Sequence, residues 1–453
     1  MDKRRKELCL WSRRRALELG ADAVRARIGC DSQLSVELRD GEPSRSSSED
    51  SNILSLALYR DGRSTTLRTN RLGNRRSIEG LIRRSLDICT RLEADPDATL
   101  PPKALKYRSR PSEKQPFDEA CRHFGSGQLL ELARSECRCG RLRKAARKKG
   151  LTLVSEVVTV SCSRYESFCC DSDDFEGERQ VSGWMIESEV TVKDAGGALH
   201  AQYACEYSVR LDRLRRGICS RKAFRRCLQQ IGSAPCPGFT GTMVVESSRT
   251  GKLISPIENA LRGENVWRDQ SFLKGRLGEK VFSGHFTLTD RTHRRGHQSC
   301  RHFDSEGVAT RDRKLIDRGV IRHFIVSTLA ARKTGLPQTA SESGSLTVTP
   351  FLRDLHPDKK TVNLQDILSG VKDGIYVTGF NGGNSNALTG DFSYGIEGRR
   401  IRDGKLAEPV SGMVVTGNLT GLFGQLVAAG SDYSRSATDA VGTLAFENVT
   451  FNA

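Results

Sequence analysis

One histidine cluster has the spacing of a metal site. His293 and His297 are four residues apart, which would place both imidazole rings on one face of a helix, and Cys300 follows closely. The segment 289–301 has little apolar periodicity and contains four arginines, whose positive charge disfavours a dication. Arg294 also stands where an H-E-x-x-H motif carries its general base. We therefore interpret the segment as an exposed loop with incidental histidines, and keep a zinc site at His293, His297 and Cys300 as the alternative.

No other pattern in the sequence identifies a catalytic residue. The G-x-S-x-G turn of serine hydrolases is absent, and no G-x-G-x-x-G follows a predicted strand. The run 381–384 is rich in glycine but lacks the Gly-Lys-Ser/Thr of a phosphate-binding loop. The sequence therefore predicts no catalytic residue in this chain.

The chain is strongly basic. Its 453 residues include 72 Lys and Arg against 55 Asp and Glu, a formal net charge of +17. The densest basic run, 134–149, is predicted to be helical and has no aromatic side chain on which a base could stack. We interpret it as an exposed helix. A nucleic-acid-binding module using this run is the second alternative, and it predicts binding that falls steeply with salt.

Neither export nor a membrane partner is expected. The first 21 residues contain a run of basic side chains where a signal peptide would have its apolar core. No window approaches the roughly 18 apolar residues of a membrane-spanning helix. None of the 14 cysteines forms a C-x-x-C pair. We therefore expect a cytoplasmic protein whose cysteines stay reduced.

The apolar patterns predict an α+β fold with two smaller helix-plus-sheet domains and a larger β-rich, glycine-rich C-terminal domain. Helical spacing at 1–21 and 78–89 flanks two alternating strand runs, the second ending in the turn signal Asp61-Gly62. The second block repeats this order, as an internal duplication or as an ordinary pair of meanders. The predicted domains are 1–112 (N-terminal α+β), 113–236 (middle α+β) and 237–453 (C-terminal β-rich).

Several short motifs lie in order between residues 303 and 432. They are Phe303-Asp304-Ser305-Glu306-Gly307-Val308, Leu315-Ile316-Asp317-Arg318-Gly319-Val320-Ile321, Ala331-Arg332-Lys333-Thr334-Gly335-Leu336, Leu388-Thr389-Gly390-Asp391-Phe392-Ser393, Gly417-Asn418-Leu419 and Gly430-Ser431-Asp432. In this order and spacing they resemble the C-terminal domain of the TldD/PmbA family. The resemblance extends more weakly to the start of the chain.

The resemblance implies which branch of the family the chain is similar to. In the TldD branch, zinc is bound by H-E-x-x-x-H on a helix and by a C-terminal cysteine, whereas the PmbA or TldE branch lacks these ligands. The corresponding helix here falls near 244–268, which contains no histidine. The counterpart of its motif is Ser255-Pro256-Ile257-Glu258-Asn259-Ala260, and no cysteine follows Cys300. The chain therefore resembles the PmbA branch.

The function implied by this resemblance is that of a non-catalytic subunit. Such a chain would hold unfolded peptide while a TldD-like metallopeptidase subunit, which carries the zinc, cleaves it; this chain would bind no cofactor. The complex would degrade or mature small peptides, and a modulating effect on DNA gyrase would follow indirectly. The isolated chain could form a homodimer. The alternatives are a self-sufficient zinc peptidase with a relocated site, or the nucleic-acid-binding protein described above.

Two groups of residues from the motifs are candidates for contacting peptide or lining a shared chamber. Each has a structural alternative: the first as a turn capped by an aspartate, and the second as a buried turn with satisfied polar side chains. The first group is Phe303, Asp304, Ser305, Glu306 and Gly307, and the second is Thr389, Gly390, Asp391 and Asn418.

Overall fold

A single six-stranded antiparallel sheet forms the first half of the molecule. The computed structural model describes residues 1–108, 115–353, 361–434 and 437–453. The elements of this half are α1 (Lys3–Glu18), β1 (Ala23–Arg39), β2 (Glu42–Arg60), β3 (Arg63–Thr69), α2 (Arg75–Cys89), α3 (Ser126–Glu136), α4 (Cys139–Arg147), β4 (Thr152–Asp171), β5 (Glu176–Lys193), β6 (Leu199–Ser208) and α5 (Cys219–Gln230). The strand order is β3-β2-β1-β4-β5-β6.

The sheet joins two similar three-stranded meanders through their first strands. β1 pairs with β4 without interruption from Arg25 opposite Asp171 to Arg39 opposite Val157. The buried apolar side chains of β1, β4 and β5 fall on alternate residues and pack under the five helices. This symmetric order agrees with the predicted repetition of the two blocks. The predicted boundary at 112 and 113 lies outside the described residues, and the segments on its two sides contribute to one sheet.

The C-terminal half is β-rich, as predicted, and contains a closed ring of strands. The ring consists of β7, β13, β15, β16 and β18, and it closes because β18 pairs with both β16 and β7. The elements are β7 (Phe239–Val245), α6 (Gly251–Ala260), α7 (Gly263–Trp267), β8 (Leu288–Arg291), β9 (Arg313–Asp317), β10 (Val320–Ile321), α8 (Thr328–Thr334), β11 (Ser345–Val348), β12 (Phe351–Leu352), α9 (Leu364–Ser369), β13 (Asp373–Phe380), β14 (Asn384–Ser385), β15 (Asp391–Arg402), β16 (Lys405–Asn418), α10 (Leu419–Gly424), β17 (Leu426–Ala429) and β18 (Leu444–Asn452).

The α+β fold is confirmed, and one predicted element is divided. The basic helix predicted through 134–149 is interrupted at Cys137, where the backbone becomes extended between α3 and α4. The buried carboxylate of Glu156 accepts hydrogen bonds from the backbone N–H of Arg138 at this break. Most basic side chains of the run are exposed, as expected. None of the helices in the described part of the chain is long and apolar enough to cross a membrane.

Candidate functional site

Helix α6 forms one wall of an open cleft beside the strand ring. The chain leaves β7 and enters the helix at Thr250, whose hydroxyl donates to the carbonyl of Ser247 at 2.9 Å. Leu253, Ile254 and Ile257 are buried in the main C-terminal core. Because these three fix the apolar face of α6, the polar face of the helix points into the cleft.

The cleft has a volume of about 720 Å³, within the ~300–1,000 Å³ range of ligand-binding pockets. Its opposite wall comes from the strand ring, through Phe380 of β13, the short strand β14 and Tyr394 of β15. The lining mixes apolar rings with hydroxyl and amide groups. From α6, these include Ser255 and Asn259.

Two cations stand on the α6 side of the cleft. Arg249 donates through Nε to a backbone carbonyl of β13 at 2.8 Å and through Nη1 to the Tyr203 hydroxyl at 3.4 Å. Lys252 Nζ donates to the carbonyl of Gly383 at 3.1 Å and lies 4.8 Å from the centroid of the Tyr394 ring. All these acceptors are uncharged, and the lining residues, which belong to the described part of the chain, include no carboxylate. The cleft is therefore locally positive.

The glycine-rich run noted in the sequence forms the turn between β13 and β14 at the rim of the cleft. Gly382 and Gly383 have φ angles of +80° and +81°, in the left-handed region that favours glycine. A Cβ on Gly383 would lie 1.9 Å from the carbonyl oxygen of Ser393. A close backbone approach therefore explains the glycine here, and the turn presents its carbonyl to Lys252.

The second group of predicted site residues comes together at the next loop. The Asp391 carboxylate accepts hydrogen bonds from Thr389 Oγ1 at 2.6 Å and Asn418 Nδ2 at 2.9 Å, and these bonds hold the pKa of Asp391 below its usual value. Gly390 has φ +79° and packs against Phe272. The polar side chains are satisfied, but Thr389 and Asp391 are exposed, so the alternative of a buried turn is wrong for these two residues.

The first group forms a buried turn around Asp304. Its carboxylate accepts hydrogen bonds from the backbone N–H groups of Glu306 and Val308, each at 2.9 Å, and from Ser341 N–H at 2.7 Å. Ser305 Oγ lies 3.1 Å from Ser341 Oγ. Burial raises the pKa of Asp304, although the bonds from Ser341 oppose the shift. This is the aspartate-capped turn that the sequence offered as the structural alternative.

The same turn joins the two halves of the molecule. The ring of Phe303 lies 5.4 Å from the ring of Phe175 and 5.2 Å from that of Tyr107, between centroids. Gly307 has φ +85°, and a Cβ there would lie 2.7 Å from the Phe175 ring. Phe303 and Gly307 are therefore core residues of the junction, and any contact of theirs with peptide stays a prediction.

Glu306 fixes a helix of the C-terminal half against the N-terminal sheet. Its carboxylate accepts from the backbone N–H and the hydroxyl of Thr328 at the start of α8, each at 2.8 Å. Its other oxygen lies 3.8 Å from the guanidinium of Arg25 on β1. Burial raises the pKa of Glu306, against the opposing charge of Arg25. The contacts of this side chain are thus made within the protein.

The histidine segment is a loop, as predicted, but it is exposed only in part: His293 and Arg295 are exposed, whereas most residues at the end of the segment are buried. His297 is buried, with Nδ1 2.6 Å from Ser299 Oγ and Nε2 3.0 Å from the carbonyl oxygen of Ala437; burial lowers its pKa. His293 Nε2 lies 3.2 Å from the hydroxyl of Thr310, and Cys300 is buried. Across residues 1–108, 115–353, 361–434 and 437–453, no three His, Cys, Asp or Glu side chains are grouped to hold a metal ion.

Comparisons with known proteins agree with this architecture. A family model for the PmbA/TldA metallopeptidase C-terminal domain matches residues 240–453. The crystal structure of a candidate modulator of DNA gyrase from Bacteroides thetaiotaomicron is 33% identical to this chain, with a TM-score of 0.92 over 100% of this chain and 99% of the other. This chain belongs to the PmbA/TldD family.

More distant PmbA/TldD relatives share parts of the sequence or the fold. The metalloprotease PmbA homolog of Haemophilus influenzae is 26% identical over 260 residues, which are 56% of this chain and 55% of that protein. The chain spans about half to two thirds of the length of the first curated relatives it matches. TldE from Thermococcus kodakarensis has 16% identity and a TM-score of 0.81, over 98% of this chain and 100% of its own, so it shares the fold.

The α6 cleft does not fit the zinc that the PmbA/TldD resemblance implies for one branch. Ser255 and Pro256 occupy the cleft wall at the positions of the first histidine and the glutamate, while Ala260 is buried in the core. None of the three is a usual zinc ligand. Arg249 and Lys252 add positive charge that disfavours a dication.

The sequence reasoning missed the cations and the aromatic wall of this cleft. Arg249 and Lys252 directly precede the degenerate motif, and Phe380 borders the glycine-rich run. The available signal was the placement of two basic residues within six positions of Ser255. The opposite wall, including Tyr394, had no local signal, because more than a hundred residues separate it from α6.

Proposed function

We propose that this PmbA/TldD family member is the non-catalytic subunit of a cytoplasmic metallopeptidase complex. It holds unfolded peptide and closes a chamber shared with a TldD-like subunit, which carries the zinc and cleaves. The substrates are small unfolded peptides that the complex degrades or matures.

The observation that supports this proposal best is the cleft at the degenerate motif. The pocket keeps the size of a ligand site, yet Ser255, Pro256 and Ala260 stand where the resemblance places two metal ligands and a general base. A peptide hydrolase needs an activated water or a nucleophile. None of these three residues is a usual ligand for a zinc ion that would activate a water. A site that keeps its cleft without its ligands suits binding better than cleavage.

The lining of the cleft is compatible with a peptide. Ser255, Asn259 and Ser385 offer hydroxyl and amide groups that can bond to backbone N–H and C=O groups. Phe380 and Pro256 provide apolar surface for side chains. Such a mixture favours an extended chain with little sequence preference, as expected for a subunit that handles unfolded peptides.

The test is reconstitution with a TldD-like protein from the same source. Hydrolysis of an unfolded, unlabelled polypeptide is followed by mass spectrometry for this chain alone, for the TldD-like protein alone, and for the mixture. We expect hydrolysis to require the mixture. Equal hydrolysis by the TldD-like protein with and without this chain would contradict the role of a subunit.

The name of the Bacteroides relative refers to DNA gyrase, but the proposal does not require DNA binding. An effect on gyrase would follow from the processing of small peptides that act on that enzyme. The exposed basic helix α4 is then a solvated surface. Binding of duplex DNA that weakens steeply between low and moderate salt would instead support the nucleic-acid alternative.

A further inference from the structure

The positive charge of the α6 cleft indicates which feature of a peptide it recognises. We propose that this cleft binds peptides through a carboxylate group, with Arg249 and Lys252 as the recognising cations. This inference rests on the proposed function, because it names the chemical feature of the peptide that the non-catalytic subunit holds.

Arg249 is oriented for this role by its protein contacts. The bonds from Nε to the β13 carbonyl and from Nη1 to the Tyr203 hydroxyl fix the plane of the guanidinium, and its carbon lies 5.6 Å from the centroid of the Tyr203 ring. Neither bond uses Nη2. A guanidinium held through Nε and Nη1 can still donate from Nη2 to a carboxylate.

Lys252 approaches the same space from the next turn of the chain. Its ammonium has three N–H donors, and the bond to the Gly383 carbonyl uses one of them. The Tyr394 ring, 4.8 Å away, supports the charge through a cation–π contact. Because both cations are held in place before binding, less conformational entropy is lost when an anion arrives.

The remaining lining selects against a cationic ligand. The cleft residues, all within the described chain, carry two positive charges and no negative charge, so a carboxylate gains and an ammonium loses interaction energy there. Asn384 and Ser385 supply neutral donors and acceptors beside the cations. A peptide can therefore place its carboxylate on Arg249 and Lys252 while its amide groups bond to β14.

The carboxylate could come from the C-terminus of the peptide or from an Asp or Glu side chain. Three unfolded peptides of equal length separate these sources in calorimetric titrations of the full chain. The first is acetylated, amidated and free of acidic residues; the second has a free C-terminus; the third is amidated and contains one internal Glu. We expect the second or the third to bind at least about tenfold more tightly than the first, as one charge-assisted contact implies.

Matched variants test whether Arg249 and Lys252 cause the preference for a carboxylate-bearing peptide. Lys252→Gln and Arg249→Gln should each weaken the carboxylate-bearing peptide roughly tenfold and leave the neutral peptide unchanged, whereas Lys252→Arg should retain most of the affinity. Lys372→Gln removes the same charge from an exposed lysine that does not line the cleft, so it should change nothing. Thermal unfolding of each variant verifies that the fold is intact.

Equal affinity for the three peptides, or no measurable binding of any, would overturn the inference. It would also be overturned if inorganic phosphate at the same concentration displaced the peptide completely, since the site would then be a general anion site. Reconstituted hydrolysis of the neutral peptide reports separately on the proposed function. If hydrolysis still requires this chain while binding ignores carboxylates, only the inference fails.

Discussion

The α6 cleft and the partly buried loop 293–307 both contain side chains of types that often act in catalysis or binding, but these side chains have different surroundings. In the loop 293–307, the ring nitrogens of the buried His297 and the carboxylate of the buried Asp304 contact hydroxyl, carbonyl and N–H groups of the protein. In the cleft, Arg249 and Lys252 contact uncharged acceptors and border an open volume. Residue type alone would have favoured the loop as the site, whereas the contacts favour the cleft.

This difference predicts that substitutions of the buried residues in the loop 293–307 mainly affect stability and those in the cleft mainly affect binding. The largest expected difference is between the stability losses caused by Asp304→Ala and by Asp391→Ala. Asp304→Ala leaves buried N–H groups of Glu306, Val308 and Ser341 without their acceptor, so the free energy of unfolding should fall by roughly 3–4 kcal/mol. Asp391→Ala, at an exposed carboxylate, should cost far less. Denaturant unfolding of both variants measures this, and similar losses would contradict the distinction.

Two neighbouring glycines test the rim of the cleft. Gly383→Ala combines a positive φ with a Cβ that would lie 1.9 Å from the Ser393 carbonyl oxygen, so it should destabilise the protein by about 1–3 kcal/mol and weaken peptide binding. Gly382→Ala has nearly the same φ but meets no atom within 4 Å, so it reports the backbone strain alone. If both variants bind peptide equally well, the close approach does not shape the cleft.

His297→Ala tests whether the loop is structural or a metal site. The variant loses the contacts of both ring nitrogens with Ser299 and Ala437, which should lower the free energy of unfolding by about 2 kcal/mol. The zinc content, measured by atomic spectrometry, should not change. Stoichiometric zinc in the parent protein that disappears in His297→Ala would revive the relocated-site alternative.

The pH dependence of stability gives the smallest expected effect and has opposite signs in the two regions. Burial raises the pKa of Asp290, at the base of the histidine loop, to about 6. Between its unfolded value and about 6 the folded state binds more protons, so this group's contribution to stability falls as pH rises through that window. Asp290→Asn should remove the slope, as urea unfolding at several pH values can show.

Asp391 provides the opposite case beside the cleft. Hydrogen bonds from Thr389 and Asn418 lower its pKa, so its contribution is present above the unfolded pKa and is lost as pH falls through the folded pKa. Asp391→Asn should therefore lower stability above the unfolded pKa of the carboxyl and flatten the loss of stability in acid. A slope up to about pH 6 that survives in Asp290→Asn, or an unchanged loss of stability in acid in Asp391→Asn, would contradict these assignments.

Local patterns predicted much of the fold because their physical causes are local. The turn signal Asp61-Gly62 was recognised, and both residues have positive φ in the two-residue turn between β2 and β3. The serine-rich first half of β2 pairs with β1, although it has no apolar alternation from which a strand could be predicted. The ring closes through β18 and β7, about 200 residues apart in the sequence, so no local signal could reveal it.

The site was harder to predict than the fold. The degenerate motif at Ser255 was located through the family resemblance, and the structure places it on a cleft wall. The importance of Arg249 and Lys252 depends on Tyr203, Gly383 and Tyr394, which other parts of the chain supply. The burial of His297 likewise depends on Ala437, 140 residues away, which is why the sequence did not reveal that this part of the loop is buried.

The most direct test of the account is the distribution of zinc between the two subunits. This chain and a TldD-like protein are mixed, shown to hydrolyse an unfolded polypeptide, separated, and analysed for zinc by atomic spectrometry. The account predicts zinc on the TldD-like protein and none on this chain. Stoichiometric zinc on this chain, together with peptidase activity of the isolated chain, would contradict its central claim.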